Sequence, residues 1–364
     1  MALEVPSTGL TRSGMDSRAS SPEANDLFLK VFSGEILTSF AENNIMKGLH
    51  TVRTISSGKS AQFPVSGIAE ASYHTAGNSI IESNLSKIAM TEKVIHIDDV
   101  LLASTFLPNV DELKQHYDVR SIYATELGKA LAKRFDIATM KTLYAAALSD
   151  SNLAASDGGK SGSTVLSTTL DTAQGIVDAL YGVAEALDKN DAPDEGRFAI
   201  LTPREYYNLI TADNNAVSIA INADAKGSGS IATGKIAQVA GITIYKSNHL
   251  ADIADGLDDS SVTTGDGSSS VRNSPFGTDG SGYNGDFRKL RSGEGTAASP
   301  YKYGILAGTK EAIGTVKLLD LATESEYQIE RQGHLFVAKY MMGHGVLRPE
   351  CAVAVEVEET ASDT

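Results

Sequence analysis

The stretch TVRTISSGKSAQFPV, residues Thr51–Val65, decides how this chain is interpreted. Its tripeptide Gly58-Lys59-Ser60 matches the end of a phosphate-binding P-loop, which lies between a buried strand and a helix. Arg53 stands where a P-loop needs its first glycine, and its side chain obstructs the backbone curl that points N–H groups at phosphates. Pro64, four residues past Ser60, breaks the helix that a P-loop requires. The stretch therefore does not predict a nucleotide site.

Residues 51 to about 92 have instead the pattern of a long two-stranded excursion. Glycines and a proline punctuate short stretches that contain Phe63, Val65 and Tyr73. The excursion returns through residues 91–99, where apolar and polar residues alternate as in a half-buried strand. Because an isolated hairpin is marginal in water, we expect this one to lie on another surface.

The composition excludes several classes of function. A formal net charge of −15 argues against a dedicated nucleic-acid binder and against attraction to an anionic membrane. Cys351 is the only cysteine, so no intrachain disulfide is possible, and its apolar surroundings predict a small buried residue. Neither a membrane-spanning apolar run nor a signal peptide is visible, so we expect the protein to work in the compartment where it is made.

The order of the elements predicts an α+β protein with at least two lobes. After a polar arm at residues 1–24, an aromatic helical stripe includes Phe28, Phe32, Ile36 and Phe40. This stripe belongs either to the protein's own core or to an arm that docks on another subunit. Further predictions are a long helix over 116–148, a linker over 150–170, alternating helices and strands, a flexible insertion over 252–300, and a strand-rich tail over 333–357. One of the alternating helices is predicted to begin at Pro203, after Thr202 as its N-cap.

No group of residues converges on catalysis or cofactor binding. Residues 229–236 match a P-loop except that Ile236 replaces the Ser or Thr, and residues 280–285 match Gly-x-Gly-x-x-Gly. Neither has a preceding strand, so both are interpreted as loops. Asp111 and His116 have a spacing that a metal could use, but helix capping explains the acidic residue. Gly343-His344-Gly345 is interpreted as a turn. The sequence therefore predicts neither an enzyme nor a cofactor.

Six blocks of sequence carry a resemblance to a known family. They are LFLKVFSGEIL (Leu27–Leu37), RTISSGKSAQFPV (Arg53–Val65), TEKVIHID (Thr91–Asp98), HYDVRS (His116–Ser121), GTVKLLD (Gly314–Asp320) and AKYMMGHGVLRPE (Ala338–Glu350). The blocks span about residues 27 to 350, and none is a catalytic signature. In this order they resemble the major capsid proteins of short-tailed (podovirus) bacteriophages.

This resemblance implies the HK97-like capsid fold. Under it, residues 1–50 form the N-terminal arm and 51–95 the extended E-loop. Residues 96–165 form the first part of the peripheral (P) domain with the spine helix 116–148, residues 166–310 the axial (A) domain with the insertion 252–300, and residues 311–364 the second part of the P domain. The expected subunit-interface residues are Phe28, Phe32, Ile36 and Phe40 in the arm and Arg53, Lys59, Phe63 and Tyr73 in the E-loop.

The function that the resemblance implies is self-assembly. Pentamers and hexamers would form the icosahedral shell around a double-stranded DNA genome, in virions assembled in the bacterial cytoplasm. The implied partners are further copies of the chain, a scaffolding protein, a portal protein at one vertex, packaged DNA through weak contacts and a decoration protein. The alternative is an encapsulin-type compartment shell, which shares the fold.

Overall fold

The computed structural model describes residues 26–69, 71, 73–74, 76–77, 79, 88–97, 99–108, 119–154, 157–167, 170, 172–211, 238–250 and 302–357. The polar arm at 1–24, the pair Asp111 and His116, the glycine-rich loops at 229–236 and 280–285, and the insertion at 252–300 lie outside these residues.

Helices and strands alternate as the sequence predicts for an α+β protein. The helices are α1 (Asp26–Asn43), α2 (Val119–Leu148), α3 (Ala173–Lys189) and α4 (Pro203–Thr211). The strands are β1 (Thr51–Thr54), β2 (Ser60–Ser66), β3 (Met90–His96), β4 (Leu101–Pro108), β5 (Ser163–Ser167), β6 (Phe198–Leu201), β7 (Gln238–Val239), β8 (Ile242–Lys246), β9 (Lys302–Gly308), β10 (Ile313–Gln328), β11 (Gly333–Val346) and β12 (Ala352–Val357).

The first of two compact units takes its residues from 1–44, 100–135 and 319–341. In it, α1 packs on the first part of α2, where the Ser39 hydroxyl donates to the Thr125 carbonyl over 2.9 Å. A Cβ at Gly128 would lie 2.8 Å from the Ser39 Cβ, so the glycine permits this close approach. Phe40 meets Phe135 edge to face, with ring centroids 6.0 Å apart. In the same unit, β4 pairs antiparallel with β11.

The second unit, from residues 45–99, 136–318 and 342–364, contains a six-stranded sheet of order β5-β12-β9-β6-β8-β7. Strands β6 and β12 lie inside this order, and the residues of β6 as well as 352–356 of β12 are buried. Cys351, just before β12, is buried as predicted, and burial raises the pKa of its thiol. Strand β12 is therefore covered on both faces and not on one alone.

Helix α4 begins at the predicted cap. The backbone N–H of Thr202 donates to Glu205 Oε2 over 2.9 Å, and the N–H of Glu205 points back to the Thr202 hydroxyl over 3.5 Å. This reciprocal arrangement satisfies N–H groups at the helix start, and Pro203 occupies the first helical position, where no N–H is needed. The predicted cap at Thr202 is confirmed.

Two predictions about local structure are wrong. Residues 150–170 are not only a linker, because they contain β5, which pairs parallel with β12 and gains its order from that pairing. Gly343-His344-Gly345 is not a turn, because it continues β11. A Cβ at Gly343 would clash with the His96 carbonyl oxygen, and one at Gly345 would lie 2.7 Å from Ile95 Cγ1. These glycines permit the close approach of two chain segments.

Replacing Gly343 with alanine is expected to destabilise the protein by about 1–3 kcal/mol, because the new methyl group overpacks the contact with His96. The measurement is the thermal unfolding midpoint. Gly34→Ala is the matched control, since nothing lies within 4 Å of a Cβ at that exposed position in α1. The control should gain about 0.5–1 kcal/mol from its higher helix propensity. Equal midpoints for Gly343→Ala and the unchanged protein would contradict the packing explanation.

Candidate assembly interface

The excursion predicted from residue 51 onward contains an antiparallel hairpin. Strand β2 pairs with β3 from Ser60↔His96 to Ser66↔Met90. The turn before β2 contains Gly58 with a φ of 111°, a backbone conformation that favours glycine. Because Ser60 begins a strand and not a helix, the structure excludes the P-loop interpretation.

The root of this hairpin is built into the second unit by a small apolar cluster. Its buried members are Ala61 and Ile95 from the hairpin together with Val316 and Leu347, and three partly buried residues pack on them, Ile55, Phe63 and Ile97. Strand β1 adds to the anchoring, since it pairs parallel with β10 from Thr51↔Gly314 to Thr54↔Lys317. The root is therefore held by both side-chain packing and main-chain hydrogen bonds.

Beyond the root, the hairpin exposes large apolar side chains. The exposed fraction is 61% for Ile68, 104% for Tyr73, 56% for Ile88 and 73% for Met90. Apolar groups concentrated on one exposed element mark an interaction surface, whereas apolar residues scattered singly over a surface do not. We call Ile68, Tyr73, Ile88 and Met90 the outer hairpin surface.

The four predicted E-loop residues differ in their surroundings. Arg53 Nη1 donates to the Gln62 carbonyl over 2.5 Å, and its guanidinium lies 5.6 Å from the centroid of the Phe63 ring. Arg53 and Phe63 thus contact each other within one chain. Lys59 is exposed in the turn, and its carbonyl accepts from the Ile97 N–H over 2.8 Å. Tyr73 is exposed on the outer hairpin surface. Their roles at a subunit interface stay predictions.

The predicted arm residues lie on α1. Ile36 and Phe40 are buried within the first unit, where Phe40 also lies 6.3 Å from the Tyr340 ring. Phe28 and Phe32 belong to α1, and their side chains are outside the described part of the structure. Leu37 on the same helix is 46% exposed. Half of the predicted stripe therefore packs in its own subunit, and docking of the arm on another subunit stays a prediction.

A buried carboxylate positions the chain that leads into the hairpin. Asp136 is fully buried and accepts from the backbone N–H groups of Ile45 and Met46 over 3.1 and 3.2 Å. Nδ1 of His249 lies 3.0 Å from the same carboxylate. Charge-assisted hydrogen bonds are stronger than neutral ones, so Asp136 fixes the segment that precedes β1.

Two buried histidines extend this polar network. His50 Nδ1 lies 2.7 Å from the Met46 carbonyl oxygen, and burial lowers the pKa of His50. His344 Nδ1 and the Thr315 hydroxyl share a hydrogen bond of 2.9 Å. Burial, with a smaller contribution from His50, lowers the pKa of His344 from 6.5 to about 3. His344 is therefore neutral at physiological pH.

Comparison with known proteins identifies the family of this chain. The family model described as "Gp10A-like: Major capsid protein" matches residues 62–356, which is most of the chain. The chain belongs to the phage major capsid protein family. It is 35% identical to the major capsid protein of Escherichia phage T7 over 341 residues, covering 90% of this chain and 91% of that protein. It is 33% identical to the major capsid protein of Enterobacteria phage T3, with the same two coverages.

A solved capsid structure gives the same result for the fold. The capsid protein of cyanophage P-SCSP1u superimposes with a TM-score of 0.64 at 33% identity, covering 96% of this chain and 99% of that one. The fold of this capsid protein is HK97-like. An encapsulin-type compartment shell is not favoured, because the family model and these relatives are phage capsid proteins.

The structural role of this protein follows from its family. The family is one of structural proteins and not of enzymes. Among the described residues, no group of three or more His, Cys, Asp or Glu side chains is arranged so that it could hold a metal ion. No helix in the described part of this capsid protein is long and apolar enough to cross a membrane.

Sequence reasoning missed most residues that hold the hairpin in place. Asp136 and Thr315 carry no motif, since their partners lie far away along the chain. The only available signal was a pair of glycines flanking His344 within an otherwise strand-forming segment, a pattern that indicates a close backbone approach.

Because His344 is buried and its pKa is lowered, we expect this residue to make the capsid protein less stable in acid. Its pKa is about 3 when folded against 6.5 when exposed, so its contribution to stability is complete above pH 6.5 and declines as the pH falls toward 3. His344→Gln keeps a hydrogen-bonding side chain that does not titrate. The free energy of unfolding of this variant should fall less steeply in that window, by up to about 1.4 kcal/mol per pH unit.

The measurement for His344→Gln is urea unfolding at a series of pH values between 3 and 7.5. His74→Gln is the control, because His74 is an exposed histidine. The slope of the control should equal that of the unchanged protein. An unchanged slope in His344→Gln would show that another group governs the acid sensitivity.

Proposed function

We propose that this protein forms pentamers and hexamers that close into the icosahedral shell around the double-stranded DNA genome of a phage. The observation that carries the proposal is the outer hairpin surface, an apolar surface on an element whose root alone is anchored in its own subunit. In a family of capsid proteins, a second copy of the chain is the partner that such a surface fits. Contacts between different surfaces of identical subunits close into rings and then into a shell.

The proposed domain organisation follows the capsid fold. Hairpin β2–β3 corresponds to the E-loop and lies across a neighbouring subunit, and α1 forms the N-terminal arm. Helix α2, with 30 residues, is the spine of the P domain, and strands β6 to β9 of the six-stranded sheet belong to the A domain. An exposed ion pair of 2.7 Å between Lys129 and Glu126 supports one turn of the spine.

Other proposed partners act at defined stages of assembly. A scaffolding protein guides assembly, a portal protein occupies one vertex, and a decoration protein binds the finished shell. Packaged DNA makes weak contacts with the shell interior. The charge of −15 supports this last point, since an acidic inner wall repels condensed phosphate and keeps the genome from adhering.

Met90→Asp is expected to abolish closed shells while the subunit stays folded. Met90 is 73% exposed in the subunit, so its replacement removes little packing there. Burying a methionine against a second subunit stabilises the contact by about 1.5–3 kcal/mol, which a buried aspartate reverses. The measurement is negative-stain electron microscopy of the assembly reaction, with circular dichroism of the subunit. Met90→Leu is the matched control and should form shells. Normal shells from Met90→Asp would refute the assignment of this surface.

Assembled shells should capture little double-stranded DNA, even at low ionic strength. Weak screening at low salt strengthens the repulsion between carboxylates and phosphates. Shells are first opened by dilution and then mixed with short linear DNA at low or physiological salt. The assay measures how much DNA sediments together with the shells, and a basic DNA-binding protein is the positive control. Tight capture that disappears as salt increases would overturn the acidic-wall explanation.

A further inference from the structure

The hairpin is held by a second, much smaller contact at the point where it leaves its root. The backbone N–H of Ile68 donates to the Asp157 carbonyl over 3.2 Å. Gly158, with a φ of 83°, lies under the Ile68 side chain, so that a Cβ at Gly158 would come within 2.8 Å of Ile68 Cδ1. We call the contact of Ile68 with Asp157 and Gly158 the latch. The neighbouring Gly67 also lies close to the Asp157 carbonyl, since a Cβ there would come within 2.7 Å of this oxygen.

The loop that carries the latch is firmly attached to its own unit. The Gly162 N–H donates to the Ser149 carbonyl over 3.0 Å, and the Asn152 side-chain amide donates to the Leu347 carbonyl over 2.7 Å. The Gly159 N–H donates to the Ala154 carbonyl over 3.0 Å. Because the loop is fixed at several points, the hairpin is the partner that moves if the latch opens.

Space for such a movement is present beneath the hairpin. A cavity of about 350 Å³ separates the base of the hairpin from the latch loop, and Val65, Ile68, Leu153 and Leu347 contribute to its lining. Close packing transmits strain, whereas a cavity of this size leaves the side chains above it without contacts on that side. The hairpin is therefore packed at its root and only latched farther out.

We propose that the latch holds the hairpin in one direction in the free subunit and opens when the hairpin docks on a second copy of the chain. This inference rests on the proposed assembly function. In a shell of pentamers and hexamers, identical subunits occupy non-identical positions, so the hairpin needs more than one direction. The few contacts of the latch are exchanged for burial of the outer hairpin surface.

The direct test is the double variant Ile68→Cys with Gly158→Cys. A Cβ at Gly158 lies 3.0 Å from the Ile68 Cβ, so a small shift reaches the separation of about 3.5–4.5 Å that a disulfide needs. The native Cys351 is buried and does not compete. The oxidised protein should lose closed shells in electron micrographs, and addition of a reductant should restore them. Oxidised protein that assembles like the reduced protein would overturn the proposal.

If the double variant does not fold, Ile68→Ser tests whether the contact of Ile68 with Gly158 holds the hairpin. Loss of the contact with Gly158 should speed hydrogen exchange of the amides at residues 66–69, measured on the free subunit. Ile88→Ser, at an exposed hairpin residue outside the latch, is the control and should leave this exchange unchanged. Equal exchange in both variants would overturn the latch. If the unchanged protein forms no shells under any condition, the proposed assembly function is contradicted. The hydrogen-exchange measurement on the free subunit still tests whether the latch exists.

Discussion

The close approach of β11 to β3 is the constraint on which the hairpin depends. At Gly343 and Gly345 the backbone of β11 comes so near to His96 and Ile95 that no side chain fits between them. This approach places Ile95 beside Val316 and Leu347, where it joins the apolar cluster of the hairpin root. The same segment carries His344 into the interior, where burial favours its neutral form. One main-chain contact thus determines where the hairpin begins and which polar groups are buried beneath it.

The hairpin divides its apolar residues between two tasks. Those at the root are buried in the subunit, whereas Met90, Ile88 and Tyr73 are exposed and gain nothing until another surface covers them. Each apolar side chain of this size stabilises a contact by about 1.5–3 kcal/mol when it is buried. Because every subunit repeats the contact, modest contributions add up over a closed shell. A fold with a rigid root and an unsatisfied outer surface therefore favours assembly over the isolated subunit.

Sequence patterns predicted the elements whose determinants are local. The apolar spacing after residue 116 indicated α2, Thr202 and Pro203 indicated the start of α4, and the alternation after Thr91 indicated β3. Arg53 and Pro64 correctly indicated that the stretch Thr51–Val65 is not a P-loop. The ordered resemblance of six sequence blocks identified the capsid fold, which no single pattern would have done.

Features set by distant contacts were not predictable in this way. Gly343 and Gly345 have the local sequence of a turn, and the residues that they approach, His96 and Ile95, lie about 250 positions earlier in the chain. Strand β5 has the composition of a linker and takes its order from pairing with β12. Arg53 and Phe63 were predicted to face a neighbour, and the contact that they make with each other depends on the fold of the turn between them.

The central claim is that a second copy of the chain covers the outer hairpin surface while the root stays as it is in the subunit. The most direct test is a cryo-electron microscopy structure of shells assembled from the purified protein. The account predicts that Met90, Ile88 and Tyr73 are buried against another subunit and that Gly343 still contacts His96. A shell in which these three side chains remain exposed, or in which the hairpin folds back onto its own subunit, would contradict it.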